Sequence, residues 1–304
     1  MFREAVLGLG GNPVVEGVLK RYGMQMGAAR FVAGSTLPTA LERVRDINSR
    51  GIMATMDHLG ESVGDVTEAV DAKDSYLAML DGIRQSGVQS TVSLKLTMMG
   101  LALDEELARR NLREIVAKAA EFQNYVRIDM ENTPYTDATI RLFQEAHQIF
   151  PQNVGLVLQA YLYRTLDDLR NLSGSTANLR IVKGAYQEPV AMAFPSKPDV
   201  DENYVKLVQE SLNLGNYTAI ATHDERIIGQ VLKFVHERNV PRERFEFQML
   251  YGVGFSVLES LAHEGYRTRV YVPYGEDWYA YYVRRVAERP ANLLFFARAL
   301  FGRK

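Results

Sequence analysis

One pattern recurs along most of the 304-residue chain: a short apolar run rich in β-branched residues, a polar turn, and then a helical pattern. From Gly51 onward the apolar runs are eight in number, and they span 52–57, 90–96, 125–131, 154–160, 179–185, 217–223, 245–250 and 267–272. Near-continuous apolar runs separated by helices are typical of parallel strands buried on both faces. Eight such units predict an α/β fold, a TIM-like (β/α)₈ barrel, regular or distorted. An open doubly wound sheet is the alternative, since strand order cannot be read from one sequence.

Helical patterns fill the intervals between the runs, at 66–85, 105–122, 136–148, 166–172, 200–214, 225–237, 256–263 and 277–288. Before the first run, residues 35–50 predict a further helix with Thr39 as its N-cap, and residues 14–32 carry an amphipathic helical pattern. The proline-containing segment 187–199 is expected to overhang the active face. We therefore expect an N-terminal helical extension, 1–50, and a barrel domain, 51–304.

The composition narrows the classes of function. Hydrophobic residues make up 47% and charged residues 24% of the chain, as in an ordinary soluble globular protein with a full core. A net charge of −2 without a long basic run argues against nucleic-acid binding. The lack of cysteine excludes disulfides and thiolate chemistry, and the five histidines show no metal-ligand spacing, so we expect no metal. No stretch resembles a signal peptide or a membrane span, which predicts a cytoplasmic location with peripheral contact to the inner face of the membrane left open.

Unusual polar residues collect at the carboxyl ends of the apolar runs, where a barrel of this kind builds its active site. They are Asp57, His58, Lys95, Asp129, Glu131, Gln159, Arg180, Lys183, Thr222, His223, Gln248 and Tyr271. A charged residue in an apolar strand is unfavourable unless it is paired or binds a ligand. Lys95, Arg180 and Lys183 predict a cationic pocket for a phosphate or carboxylate. Asp129 and Glu131, two residues apart on one predicted strand, would share a face and balance that charge or act as bases.

The last helical pattern brings four functional side chains to one face. Tyr281, Arg284, Arg285 and Glu288 have the spacing i, i+3, i+4 and i+7. Two adjacent arginines flanked by a phenol and a carboxylate match a bidentate clamp for a small carboxylate. The same residues also fit a solvent-exposed face on which Arg285 and Glu288 form an ordinary surface ion pair.

Taken together, these motifs resemble the flavin-dependent proline dehydrogenases. The segment YAYYVRRVAERPAN at 279–292 is similar to the signature helix of that family, which covers the barrel mouth and carries paired arginines. Further matches follow in the same order along nearly the whole barrel: SLKLT at 93–97, RIDME at 127–131, VLQAY at 157–161, RIVKGAY at 180–186, ATHD at 221–224 and EFQML at 246–250.

The resemblance implies a reaction. L-proline would be oxidised to Δ1-pyrroline-5-carboxylate by hydride transfer to FAD, and the electrons would pass to a quinone, as the first step of proline catabolism to glutamate. A membrane quinone would require transient membrane contact, for which the amphipathic pattern at 14–32 is a candidate. The chain resembles the monofunctional bacterial type, so a separate pyrroline-carboxylate/glutamate-semialdehyde dehydrogenase would take the product.

The resemblance also assigns the substrate to particular residues. Arg284 and Arg285 would grip the substrate carboxylate, and Lys95 would reach the same group. Tyr271 and Tyr281 would pack around the pyrrolidine ring, and the bulk of Tyr271 would favour proline over hydroxyproline.

Other residues would hold the cofactor or support the substrate site. Arg180 would stand next to flavin N5, and Asp129 would support Lys95 or the flavin edge. The residues lining the isoalloxazine, the ribityl chain or the adjacent substrate would be Gln159, Lys183, Gly184, Ala185 and Tyr186. Those holding the distal part of FAD would be Thr222, His223 and Gln248.

Two glutamates would act on the arginines. Glu288 would orient them, and Glu61, after the first strand, would form a closing ion pair with Arg284. The chain departs from the family pattern at Asp224, where relatives often carry Asn, and this difference concerns the adenine end of the cofactor.

Two other functions fit parts of the sequence. Lys95 or Lys183 could form a Schiff base in a class I aldolase-type lyase, because barrel-strand lysines often serve that purpose. A non-enzymatic barrel could instead sense a carboxylate through Arg284 and Arg285.

Overall fold

A closed barrel of eight parallel strands forms the centre of the computed structural model, which describes residues 16–17, 28–60, 63–172 and 177–288, the side chain of Glu288 excepted. The strands are β1 Met53–His58, β2 Ser90–Leu94, β3 Val126–Ile128, β4 Val154–Gln159, β5 Asn178–Val182, β6 Tyr217–Ala221, β7 Phe245–Leu250 and β8 Thr268–Tyr274. Each strand pairs with the next in the chain, and β8 pairs with β1. The predicted (β/α)₈ barrel is confirmed, and the open doubly wound sheet is wrong.

The helices surround this barrel and follow the predicted patterns. They are α1 Leu37–Ser49, α2 Val66–Ser86, α3 Glu105–Glu121, α4 Thr133–Ile149, α5 Thr165–Leu172, α6 Lys197–Asn213, α7 Glu225–Glu237, α8 Phe255–His263 and α9 Trp278–Glu288. Within the described ranges, none of these helices combines the length and apolarity needed to cross a bilayer. The amphipathic pattern at 14–32 lies mostly outside the described residues.

Prolines account for the largest differences at the helix starts. Pro134 and Pro198 lie in the first turns of α4 and α6. A proline is tolerated there because the first backbone N–H groups of a helix have no intrahelical acceptor. The predicted irregular segment 187–199 therefore ends earlier than expected, and its last three residues begin α6.

Helix α1 begins before the residue predicted to cap it. The N-cap position is occupied by Thr36, with extended φ and ψ of −121° and 152°, and Pro38 lies in the first turn. The prediction of Thr39 as the cap is wrong, because Pro38 fits the helix start and Thr39 already lies inside the helix. Ala40, Val44 and Ile47 of α1 belong to the same hydrophobic core as the barrel strands.

The position of α1 is the main irregularity of the barrel. It packs against β8, β1 and α2, between the last strand and the first. The helix that follows β8 is α9, whose residues lie at the carboxyl ends of the strands rather than beside the barrel. The segment predicted as an N-terminal extension thus contributes to the core of the barrel, while the domain boundary at residue 50 stays a prediction.

Several strands end before the polar residues assigned to them. β3 ends at Ile128, so Asp129 and Glu131 follow the strand instead of sharing a face within it. Lys95 and Lys183 likewise come directly after β2 and β5. The prediction that these residues are inside the strands is wrong, because the parallel ladders stop where each chain turns into its loop. The side chains nevertheless lie at the carboxyl end of the barrel.

The opposite end of the barrel contains a buried ion pair between Glu246 of β7 and Arg269 of β8. Arg269 Nε and Nη2 donate to the two carboxylate oxygens at 2.8 and 3.0 Å, and Nη1 donates to the Ala54 carbonyl at 2.8 Å. These bonds join β7, β8 and β1. Burial alone would raise the pKa of Glu246, but the charge and hydrogen bonds of Arg269 outweigh burial and lower this pKa to about 2.

We expect Glu246→Gln to lower the free energy of unfolding at neutral pH by about 3 kcal/mol, because Arg269 loses its partner. The pKa of Glu246 is lower in the folded state than its ordinary value of 4.5, so the ion pair stabilises the fold fully above pH 4.5 and progressively less as the pH falls towards 2. Denaturant unfolding at pH 6 and pH 3 should therefore show a smaller pH effect in Glu246→Gln than in the wild type. Glu237→Gln, which removes an exposed partner of Lys233, is the control and should change little. An equal pH dependence in wild type and Glu246→Gln would contradict the assignment.

Candidate active site

A cavity of about 1070 Å³ opens at the carboxyl ends of the strands. Ligand pockets usually have volumes of roughly 300–1,000 Å³, so this one is large enough for an extended ligand. Every predicted site residue with a described side chain lines it: Lys95, Asp129, Gln159, Arg180, Lys183, Gly184, Ala185, Tyr186, Thr222, His223, Gln248, Tyr271, Tyr281, Arg284 and Arg285. The side chain of Glu288 and the predicted gate residue Glu61 lie outside the described residues.

Lys95 is held at the cavity by the carboxylate of Asp57, a residue to which the sequence analysis assigns no role. Its Nζ lies 3.2 and 3.3 Å from the two carboxylate oxygens of Asp57 on β1, and the Tyr76 hydroxyl of α2 donates to the same carboxylate at 3.1 Å. Asp57 and Tyr76 are almost fully buried. Burial would lower the pKa of Lys95, but Asp57 and Asp129 outweigh it and raise this pKa above its ordinary value. Lys95 is therefore a protonated, positioned cation.

Asp129 lies at the centre of a second group of polar side chains. Arg180 Nη1 on β5 donates to one carboxylate oxygen at 2.8 Å, and the Tyr271 hydroxyl on β8 donates to the other at 2.8 Å. Arg180 also donates to Ser93 Oγ at 3.0 Å, and its guanidinium lies 5.4 Å from the Tyr271 ring centroid. Burial raises the pKa of Asp129, and the charges of Arg180 and Lys95 limit that rise. The group joins four strands across the barrel mouth.

Helix α9 covers the cavity and is fixed by an apolar cluster separate from the main core. Tyr282 and Val286 of α9 are fully buried in this cluster, which also contains Phe31, Val32 and Leu59. The rings of Phe31 and Tyr282 are 6.2 Å apart, between centroids. The chain before α1 and the loop after β1 thus position the helix. The predicted C-terminal helix over the barrel mouth is confirmed.

The arginine-bearing side of α9 faces the cavity. Arg284 is exposed and Arg285 is half-buried, and both line the cavity together with Tyr281. The Arg285 guanidinium lies 5.2 Å from the Tyr281 ring centroid. An aromatic face beside a guanidinium limits its orientations, which suits directional binding of a planar anion. Both guanidinium groups therefore border the cavity, whereas the alternative surface pair of Arg285 with Glu288 involves a side chain outside the described residues.

Charged groups also line the cavity at the carboxyl ends of β5 and β6. Lys183 Nζ donates to Asp201 at 2.5 Å and to Asp224 at 3.4 Å, and Lys197 pairs with the same two carboxylates. Asp224 is the N-cap of α7 and accepts a hydrogen bond from the Arg226 N–H at 3.2 Å. Burial would raise the pKa of Asp224, but Arg226 and Lys183 outweigh it and lower this pKa to about 2. The lysine at this position is therefore fixed by two ionised carboxylates.

The three residues predicted at the far end of the cofactor lie after β6 and within β7. They are Thr222, His223 and Gln248. His223 Nε2 accepts a hydrogen bond from the backbone N–H of Leu250 at 3.0 Å. The Gln248 amide donates to Glu246 in the barrel interior. A bond between the ends of β6 and β7 therefore fixes His223, and a bond within β7 fixes Gln248.

Two buried polar atoms in the cavity lining lack hydrogen-bond partners in the protein. The Gln159 amide donates to the Met130 carbonyl at 3.3 Å, but its Oε1 is buried without a partner, and so is Nε of Arg180. Buried polar atoms are usually satisfied, so an unsatisfied donor and acceptor in a large cavity indicate a polar ligand. In the ranges that the structure describes, no group of three or more His, Asp or Glu side chains is arranged to hold a metal ion.

Glu131, which follows β3, accepts hydrogen bonds at both carboxylate oxygens. The Thr97 backbone N–H donates to one oxygen at 3.0 Å, and the Thr97 hydroxyl donates to the other at 2.5 Å. Burial raises the pKa of Glu131. The contact fixes the loop after β2, so a role as a base alongside Asp129 is not indicated.

Comparison with known proteins gives concordant results. The family model described as proline dehydrogenase matches residues 40–298. Proline dehydrogenase 1 of Bacillus subtilis is 43% identical over 300 residues, with 99% of each chain covered. The proline dehydrogenase of Deinococcus radiodurans is 42% identical over 304 residues, covering 99% of this chain and 98% of the relative. The crystal structure of proline utilization A from Bdellovibrio bacteriovorus, inactivated by N-propargylglycine, superposes with a TM-score of 0.83 at 25% identity, over 94% of this chain and 35% of that one.

Proposed function

The chain belongs to the proline dehydrogenase family and is an oxidoreductase, and from this we propose that it oxidises L-proline to Δ1-pyrroline-5-carboxylate with FAD as its cofactor. The observation that carries the proposal is the shared cavity. It places a cationic, aromatic-lined region under α9 beside a long polar region above β4 to β7. A small amino acid and a dinucleotide need these two kinds of surface side by side.

The residues present fit a flavin dinucleotide. The unsatisfied Gln159 Oε1 and Arg180 Nε offer one acceptor and one donor within the cavity. Gly184 has a φ of +115°, and a Cβ there would lie 2.3 Å from the Tyr161 ring, so the backbone turns where a larger residue would not fit. We propose that FAD is held by Gln159, Arg180, Lys183, Gly184, Ala185, Tyr186, Thr222, His223 and Gln248. When bound, the flavin supplies the two-electron acceptor for the reaction.

The substrate would bind under α9 through its carboxylate. Arg284 and Arg285 provide planar guanidinium groups, and Lys95 provides a third positive charge. Guanidinium groups bind a carboxylate in bidentate fashion and so fix its direction, which in turn fixes the C–H bond to be broken. Tyr271 and Tyr281 supply apolar surface for the ring. The Tyr271 hydroxyl is directed to Asp129, which leaves the bulk of the phenol towards the substrate and favours proline over hydroxyproline.

The reaction would remove one hydride and one proton from the substrate, a two-electron oxidation. The C–H bond next to nitrogen would break with its electron pair, which leaves as hydride to the two-electron acceptor, and nitrogen would release a proton to solvent, giving the C=N bond of the product. Lys95, Arg284 and Arg285 would hold the carboxylate while these bonds change. We further propose a quinone as the electron acceptor, which would bring the enzyme to a lipid surface, and a separate dehydrogenase as the enzyme that consumes the product.

The Schiff-base alternative is disfavoured by the state of its lysines. A nucleophilic lysine needs a lowered pKa, whereas Asp57 and Asp129 raise the pKa of Lys95. Lys183 is bonded to two carboxylates. A sensor without catalysis is disfavoured by the family membership, because the relatives at 42–43% identity are named as dehydrogenases.

A turnover assay tests the proposed function. The purified protein should be yellow, release FAD on denaturation, and reduce a soluble quinone only when L-proline is added. Mass spectrometry should find a product two hydrogens lighter than proline, and 4-hydroxyproline should react more slowly. A colourless protein that takes up no FAD, or one that turns over without proline, would show that the assignment is wrong.

Asp57→Asn should make substrate binding depend on pH through Lys95. Without the carboxylate, burial lowers the pKa of Lys95, so this residue loses its charge at a lower pH. The KM for proline should rise about tenfold, the loss of one charge-assisted contact, and the ratio of variant to wild-type KM should increase from pH 7 to pH 9. Tyr76→Phe keeps the Asp57 charge and should show a constant ratio over the same range. A constant ratio for Asp57→Asn as well would refute the positioning role of Asp57.

A further inference from the structure

A second cavity, of about 230 Å³, lies at the opposite end of the barrel, where the strands begin. Its lining is dominated by cations and phenols and includes Tyr125, Arg127, Arg180, Glu246, Arg267 and Arg269. It is smaller than the roughly 300–1,000 Å³ usual for organic ligands, yet at about 30 Å³ per water molecule it holds several water volumes. Arg267, at the edge of this cavity, is exposed, so an ion in solution can reach the cavity there.

The charges in this cavity do not balance. Arg180 is paired with Asp129 at 2.8 Å, and Arg269 is paired with Glu246 at 2.8 Å. In the part of the chain that the structure describes, no carboxylate lies within ion-pair distance of Arg127 or Arg267. The acceptors of both guanidinium groups are neutral: backbone carbonyls, the Asn178 side chain and the Tyr217 hydroxyl. Two positive charges are left without a counter-ion.

Arg127 is the residue for which this imbalance matters most, because it is only 3% exposed. Its Nη1 donates to the Leu156 and Asn178 carbonyls at 3.1 and 2.6 Å, and its Nη2 donates to Asn178 Oδ1 at 2.5 Å. Nε of Arg127 is buried without a partner, and so is the Tyr125 hydroxyl beside it. Burial lowers the pKa of Arg127, and the charges of Arg180 and Arg269 lower it further, while Tyr125 and Glu246 act in the opposite direction without preventing the decrease. Burying an uncompensated charge destabilises the fold, and a bound anion would offset that effect.

We propose that this cavity is a binding site for one small inorganic oxyanion, of the phosphate or sulfate class. Arg127 and Arg267 would donate to its oxygens from two sides, and the Tyr125 hydroxyl would donate a third hydrogen bond. Phosphate oxygens accept several charge-assisted hydrogen bonds at once and suit converging guanidinium groups. The ligand would stabilise the end of the barrel remote from α9. The proposal is independent of the dehydrogenase reaction.

Thermal unfolding of the full-length, flavin-loaded protein tests the site. Inorganic phosphate should raise the unfolding midpoint above that in potassium chloride at equal ionic strength and pH. Because the cations under α9 could also bind phosphate, Arg285→Met is measured in parallel and should keep the effect. Arg267→Gln changes an exposed residue and should fold normally. It should raise the half-saturating phosphate concentration about tenfold, the loss of one charge-assisted contact.

Two further variants sharpen the result. Arg113→Gln removes an exposed positive charge from α3, far from the cavity lining, and should bind phosphate as the wild type does. Tyr125→Phe should weaken binding less than Arg267→Gln, since it removes a neutral donor. The proposal is overturned if phosphate and chloride give the same midpoint. It is also overturned if Arg267→Gln matches Arg113→Gln, or if Arg285→Met alone abolishes the effect.

Discussion

Arg285→Met is expected to raise the KM for L-proline about a hundredfold while leaving the flavin bound, because removing one partner of a desolvated charge pair costs 2–5 kcal/mol. Arg285 lies half-buried on α9, lines the cavity and faces the Tyr281 ring at 5.2 Å. Methionine retains much of the length and apolar surface of arginine but offers no donor to a carboxylate. Steady-state kinetics at several proline concentrations, with the flavin content of each preparation determined spectrally, measure the effect.

The matched control keeps the charge and changes the geometry. Arg285→Lys retains a cation under α9 but not the planar fork, so its KM should lie between those of the wild type and Arg285→Met. Arg113→Gln, on the outer surface, should leave KM unchanged. A wild-type KM in Arg285→Met would show that Arg285 does not bind the substrate carboxylate. Loss of flavin in that variant would show that Arg285 binds the cofactor instead.

Arg180→Met should slow the reductive half-reaction by about a hundredfold, the size of effect seen when a preorganised donor is removed from an active site. Arg180 is 3% exposed and bridges Asp129 and Ser93 in the cavity. Its loss also leaves the Asp129 carboxylate without its ion-pair partner, so the free energy of unfolding should fall by about 3 kcal/mol. Stopped-flow reduction by proline and denaturant unfolding give the two quantities separately.

A double variant separates stability from catalysis. Adding Asp129→Asn to Arg180→Met removes the unpaired carboxylate, so much of the lost stability should return. The reduction rate should not return, because the guanidinium that faces the cavity is still missing. Recovery of the rate together with stability would mean that Arg180 acts only through the fold.

Much of the barrel could be predicted from its strands. Residues 154–159 are buried along their whole length, and a parallel strand buried on both faces must be nearly continuous in apolar residues, which leaves a clear mark in the sequence. For the same reason Arg180 stood out as a cation in an apolar run. Its 3% exposure and its bond to Asp129 explain how the strand tolerates it.

The contacts between distant segments could not be predicted. Tyr76 lies within the pattern of α2, and only the packing of α2 on β1 brings its hydroxyl to Asp57. The position of α1 between β8 and β1 depends on α9 leaving that place for the barrel mouth. Helical spacing put Arg284 and Arg285 on one face of α9, but it could not say what that face meets. These facts follow from register and tertiary packing, which a local pattern does not encode.

Anaerobic titration with L-proline tests the central claim most directly. The flavin-loaded protein should lose its yellow absorption as proline is added, because the proposed substrate site under α9 and the proposed flavin site share one cavity. Addition of a quinone in the absence of oxygen should restore the colour. A protein that retains its flavin but stays yellow under saturating proline would contradict the assignment of both substrate and reaction.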